Sequence, residues 1–160
     1  MKGKELTDKP GPLLPQKLIA YLRPGAPALM LTAGADGYAG SAFTWVVAMD
    51  ATRLRFGVDH GSSALENLQR SGQVSIQILG PDELSFLVKG KACPIRQRIA
   101  AAAPASVMLW EMDVMATRDQ SWPGVTMTAL AYEWPASQRA AMLGMEQAVY
   151  AEMRAAMREA

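Results

Sequence analysis

Across residues 38–79 the side chains alternate with a period of two, interrupted once by a short helical run, and no other feature limits the possible folds as strongly. YAGSAFTWVVAM alternates small with bulky residues, LRFGVD alternates apolar with polar, and QVSIQIL alternates again. Such alternation marks half-buried strands. Between the last two, GSSALENLQRSG reads as a short helix with a serine-rich start. A helix start collects anions. A wall of strands beside an anion-ready helix end can hold a phosphorylated planar cofactor.

The flanking sequence extends this pattern. Residues 1–12 read as a loose arm, and Leu14, Leu18 and Leu22 then recur at helical spacing until Pro24-Gly25 stops the segment. A buried strand over 28–33 and the turn Gly34-Ala35-Asp36-Gly37 predict a hairpin with the strand that follows. In that second strand Phe43, Trp45, Val47 and Met49 make a bulky face that suits the core. Ala42, Thr44, Val46 and Ala48 make a small face open to something flat.

Leu54, Phe56 and Val58 are expected inside, with Arg53, Arg55 and Asp59 outside. Ser63 as N-cap with Glu66 at N3 fits a capping box, and Gly72 closes the helix. Val74, Ile76 and Ile78, then Leu84, Phe86 and Val88, form inner faces of two more strands, the second continuing through Lys89, Gly90 and Lys91. Residues 94–103 read as a helix, 107–118 as a strand with Met108, Trp110, Met112 and Val114 on one face, and 125–134 as a further strand. Pro135 opens a C-terminal helix over 135–160 with an apolar stripe at Met142, Met145, Val149, Met153 and Ala156. About seven strands joined by short turns predict a mainly β, α+β fold: an antiparallel sheet closed into a barrel with flanking helices. A chain of 160 residues suits one such domain.

Composition excludes several function classes. The 16 basic and 15 acidic residues leave a net charge of +1 with no basic stripe, so neither nucleic acid nor an anionic membrane is expected as partner. No apolar run reaches the length of a bilayer span, and the polar, proline-broken start lacks the core of a signal peptide, which predicts a soluble cytoplasmic protein. Cys93 is the one cysteine and His60 the one histidine, so an internal disulfide and a His/Cys metal site have no support. No GxSxG elbow presents a serine nucleophile. Cys93 reads as a reactive thiol or a small buried hydrophobe.

The order of elements, the SAFTW strand and LRFGVDHGSSALENLQRSGQVSIQI together resemble the FMN-binding split barrels, the superfamily of pyridoxamine 5′-phosphate oxidase. The resemblance covers roughly residues 15–118 and implies an antiparallel split β-barrel of the FMN-binding type. It implies that Ser41, Ala42, Phe43, Thr44 and Trp45 lie along the isoalloxazine ring. It also implies that Asp59, His60, Gly61, Ser62 and Ser63, with Asn67 behind them in the helix, approach the phosphate and ribityl chain. Barrels of this kind are usually homodimers with the cofactor at the interface. The oxidases read close to R-S-R-K-V-R-N-L at this helix start. Here Ser62, Asn67 and Leu68 match, while Ser63 and Ala64 replace the arginine and lysine that neutralise phosphate.

The functional expectation is an FMN-binding protein acting as a flavin-dependent oxidoreductase, in which the flavin carries the redox chemistry and the protein binds and tunes it. The alternatives are a non-catalytic module for a flavin, deazaflavin or haem, and an apo structural dimer. No acid–base constellation marks catalytic side chains. Ser62 and Ser63 can cap the helix with or without a phosphate, and His60 can face a ligand or solvent. Trp45 can border the ring or fill the core. Trp110, Trp122 and Trp134 can wall a pocket, line an interface or simply pack, and packing is the better fit for each.

Overall fold

The structure, a computed structural model, describes residues 13–159; the arm expected over 1–12 lies outside them. The described elements are α1 (Gln16–Leu22), β1 (Ala26–Ala33), β2 (Ala39–Ala48), β3 (Arg53–Asp59), α2 (Ser63–Ser71), β4 (Gln73–Leu79), β5 (Ser85–Arg96), a 3-10 turn (Ala100–Ala102), β6 (Val107–Asp119) and α3 (Arg139–Ala155). The six strands close into an antiparallel barrel in the order β1-β2-β3-β6-β5-β4, with β4 returning to β1. Among the described residues no helix is long and apolar enough to cross a membrane.

Alternation did its expected work on most strands. Leu54, Phe56, Val58, Val74, Ile76, Ile78, Phe86, Val88, Met108, Trp110 and Met112 are all buried in the barrel interior. Leu14, Leu18, Ile19 and Leu22 at α1, and Leu65 and Leu68 of α2, close that core. Strand β2 is the exception. Its small face turns inward, with Val46 and Ala48 buried in the barrel, while Val47 lies in a second apolar core outside the wall together with Trp45 and Met49. Phe43 is 63% exposed. A bulky face belongs in the core of a sheet that has one buried side. Here α3 packs on the outside, so both sides of β2 are covered at its Val46–Ala48 end and the smaller residues take the interior.

Two elements differ from expectation. The strand expected over 125–134 does not form; that stretch makes one isolated bridge, Asp82 with Met127. The segment packs through its aromatic side chains rather than through a ladder. The helix expected over 94–103 is instead the end of β5 followed by the 3-10 turn, because β6 offers partners as far as Arg96 opposite Leu109. Pro94 is tolerated there beside a register shift, where a missing ladder donor costs little. The last helix also begins at Arg139, after a turn at 136–138, rather than at Pro135.

A β-bulge between β5 and β6 needs Gly90. The register slips between Lys89 and Gly90, and a Cβ on Gly90 would lie 2.1 Å from the Asp113 carbonyl oxygen. That atom is backbone inside a ladder and cannot step aside.

Helix α3 is held on the barrel by charge as well as by Val149, Tyr150 and Met153. The buried Arg55 side chain donates to Glu111 (2.8 Å) and to the Met153 and Ala156 carbonyls (2.7 and 2.9 Å). A cation thus meets the unpaired carbonyls at a helix C-terminus, where the dipole favours it. Glu152 accepts from the Ala100 and Ala101 amides (2.8 and 2.7 Å) and so ties the 3-10 turn to α3. Near α1, Arg154 donates to the Pro24 carbonyl, and Gly25, at φ +101°, leaves space that the Tyr150 ring fills.

Two outcomes test this account. Gly90→Ala is expected to lose about 2 kcal/mol or more of unfolding free energy in urea titration, the cost of overpacking against fixed backbone. Arg55→Met, which keeps the stem but strands the α3 carbonyls, is expected to cost about 3 kcal/mol. Arg55→Lys should recover only part of that loss, because an ammonium cannot reproduce the guanidinium fork.

Candidate functional site

The β2–β3 ladder is short. Its pairs run from Ala48 opposite Leu54 to Val46 opposite Phe56 and stop there. Before Val46, β2 still pairs with β1 along its whole length but has no ladder partner on the β3 side. The Thr44 hydroxyl spans the parting and donates to the Gly57 carbonyl at 2.7 Å. A cavity of about 240 Å³ occupies this split. Side chains from both faces of β2 line it, as a gap along a strand edge requires.

Of the residues expected at a site, the structure brings together Ala42, Phe43, Thr44, Trp45, Asp59 and Ser62 on the cavity wall. The others lie apart from it. Ser41 is exposed on the outer face of β2, and Gly61 and Ser63 are exposed at the turn into α2. His60 lines a separate hollow with Cys93 and Gln97, and its Nε2 donates to the Gln97 carbonyl at 2.7 Å. Asn67 is buried and structural: it donates to Thr32 Oγ1 at 3.0 Å and accepts from Arg70 at 3.0 Å, fastening α2 to β1. Cys93 is half-buried, and its sulfur accepts from Arg158 at 2.8 Å.

The N-cap of α2 is Ser62, one residue earlier than expected. Ser62 has extended backbone, and its Oγ accepts from the Leu65 amide (3.1 Å) while donating to the Asp59 carbonyl (2.8 Å). Glu66 therefore stands at N4 and no capping box forms. The shift leaves the Ser63 and Ala64 amides as the unpaired donors of the first turn. Among the described residues no arginine or lysine lines the cavity, and Asp59 does.

A further wall comes from the segment expected to be a strand, where Trp134 takes the pocket-wall option open to it and Tyr132 is new. Tyr132 and Trp134 cross the split, with Phe43 edge-on to Tyr132 (6.5 Å, 86°) and Tyr132 edge-on to Trp134 (5.6 Å, 88°). Trp45 Nε1 donates to the Tyr132 hydroxyl at 2.8 Å, and that hydroxyl donates to the buried Glu146 of α3. Burial first, and the bond to Glu146 second, raise the Tyr132 phenol well above its ordinary range. It stays protonated at neutral pH and is no base there. Met30, Gly57, Ala105 and Val107 complete the lining. The aromatic spacing in AYEW was the one sequence signal for this wall, and it matches a strand equally well.

No family model matches the sequence, and no curated protein matches it. Solved structures do. An F420 reductase superposes with a TM-score of 0.56 at 19% identity, covering 67% of this chain and 100% of that one. A candidate pyridoxamine 5′-phosphate oxidase from Lactobacillus delbrueckii gives 0.52 at 15% identity, covering 72% and 98%. The HupZ protein of Group A Streptococcus gives 0.50 at 13%, covering 64% and 96%. At these identities the likeness is one of fold: this chain is a split β-barrel of the type seen in pyridoxamine 5′-phosphate oxidase-like proteins.

Proposed function

We propose that the protein binds a flavin in the split between β2 and β3, with FMN as the expected cofactor, and serves as a flavin-dependent oxidoreductase. The observation that carries this reading is the unpaired β2 edge along an aromatic-lined cavity, next to the first turn of α2. Ala42 and Gly57 keep the walls low, and Phe43, Trp45, Tyr132 and Trp134 supply aromatic surface. The likeness in fold to an F420 reductase and to a candidate pyridoxamine 5′-phosphate oxidase supports a ligand of this class.

The ring contributes most of the binding. A cavity of about 240 Å³ is smaller than the ~300 Å³ at which ligand pockets begin, so the ribityl chain and phosphate run outside it past Asp59 towards the Ser63 and Ala64 amides. Those amides are neutral, and Asp59 repels a dianion. Charge-assisted contacts are about twice as strong as neutral ones. The phosphate therefore adds little here.

A bound flavin supplies hydride or electron transfer. The cavity side chains bind and orient; their hydroxyls are committed to Gly57, Asp59 and Glu146. A second reading, a flavin carrier without turnover, is favoured by the cavity hydroxyls, which are all committed to other groups of the protein. Pairing with a second copy, which the fold resemblance suggests, would give the exposed Phe43 ring a surface to pack on.

Fluorescence titration with FMN and riboflavin tests the assignment. Both should bind, with affinities within about tenfold of each other and little salt dependence. Ser63→Arg should tighten FMN by about tenfold or more and leave riboflavin unchanged. Equal tightening of both, or of neither, would remove the tail from the α2 start. Anaerobic bleaching by NADH or NADPH separates an oxidoreductase from a carrier.

A further inference from the structure

The segment that roofs the cavity is tied down at few points. From Trp122 to Met145 no residue is buried, whereas Ser121 before it and Glu146 after it are. Its first half is fastened beside the β4–β5 turn. Gly124 donates to the Glu83 carboxylate (3.0 Å), Met127 to the Asp82 carbonyl and Leu130 to the Leu79 carbonyl (2.9 Å). Beyond Leu130 the next backbone hydrogen bond among the described residues is a local one, from Gln138 to the Pro135 carbonyl (2.8 Å), in the turn that leads into α3. Residues 131–138 thus form an arch that is anchored at both ends and has no main-chain support between them.

Among the described residues, one side chain of the arch is hydrogen-bonded to the body of the protein. The Tyr132 hydroxyl accepts from Trp45 Nε1 on β2 at 2.8 Å and donates to the Glu146 carboxylate on α3. It therefore joins the arch to one wall of the split and to the outer helix at once. A hydrogen bond to an ionised group is about twice as strong as one between neutral groups, so this hydroxyl is the main polar tie. Segments with few buried contacts open most readily, and the lids of binding sites are drawn from them.

We infer that residues 131–138 are a lid over the split and that the Tyr132 hydroxyl is its latch. Closed, the lid sets Tyr132 and Trp134 on the cavity wall. Open, with the hydroxyl parted from Trp45 and Glu146, it uncovers the β2 edge. What passes beneath it rests on the flavin reading: a flat ring enters and leaves when the lid swings, so the rate of opening sets how long the ring stays. That gives a retention which the neutral amides at the α2 start do not supply. The opening itself is a property of the ligand-free protein.

Tyr132→Phe keeps the ring and removes the latch. Cleavage after Glu133 by a Glu-specific protease, followed by mass spectrometry on ligand-free protein, reports opening, because the protease takes the open form. The variant should be cut there about tenfold faster than the parent protein, while cleavage after Glu111 within β6 keeps its rate. Glu146→Gln leaves an uncharged acceptor and should show the same selective change at about threefold; it carries the test if Tyr132→Phe fails to fold. In stopped-flow fluorescence, riboflavin should both enter and leave Tyr132→Phe about tenfold faster than the parent protein, because each event waits on the same opening.

Equal cleavage after Glu133 in the parent protein and in folded variants would overturn the lid. Cleavage after Glu111 that quickens to the same degree would also overturn it, since the hydroxyl would then serve the whole fold. Faster release of riboflavin with unchanged entry would make Tyr132 a wall contact and not a latch. A parent protein that takes up no riboflavin and no FMN, while the variants show the selective change after Glu133, would overturn the flavin reading and leave the lid standing.

Discussion

The end of the β2–β3 ladder at Val46 opposite Phe56 is the event on which the rest depends. In a barrel paired throughout, main-chain groups are spent on neighbours and the interior is filled by side chains. Here β2 leaves β3 while still paired to β1, so a length of strand edge faces a gap. An open edge is ordinarily a liability for aggregation. The Thr44–Gly57 hydrogen bond limits the parting, and Tyr132 and Trp134 roof it. The result is a cleft with main-chain polarity on one side and aromatic surface on the other, which suits a flat heterocycle.

Helix α3 ties the walls of that cleft together. Its Glu146 accepts from Tyr132 and so holds the aromatic roof, and its Glu152 caps the 3-10 turn that leads into Ala105 and Val107. Arg55 fastens the far end of the same helix to β3. These contacts link the outer core to the cleft through a few charged side chains. A loss of α3 docking would therefore reach the cavity before it reached the barrel interior.

Much of the barrel could be read from the sequence because period-two patterning reports burial directly. The runs ending in Val58, Ile78 and Val88 pack inward as their alternation indicates. That signal misleads where both faces of a strand are covered, as at the end of β2, or where a segment packs by side chains rather than by a ladder, as over 125–134. Pro94 looked like a helix start because local propensity favours it, yet β6 supplied a ladder. Around the cavity, neighbours local to β2 and the α2 start could be brought together from the sequence. The approach of Tyr132 to Phe43 and Trp45, with Trp134 against it, is a long-range contact that no local pattern encodes. His60 and Asn67 sat in a motif resembling a cofactor loop, but hydrogen bonds to Gln97, Thr32 and Arg70 commit them elsewhere.

The central claim is that the split between β2 and β3 is a seat for a flavin ring. The visible absorption spectrum of freshly purified protein, taken with its mass in solution and repeated after denaturation, addresses it most directly. The account predicts the two-banded absorbance of a flavin, perturbed while the protein is folded and reverting to that of free flavin on unfolding. Colourless protein that stays colourless after incubation with excess flavin and desalting would contradict it.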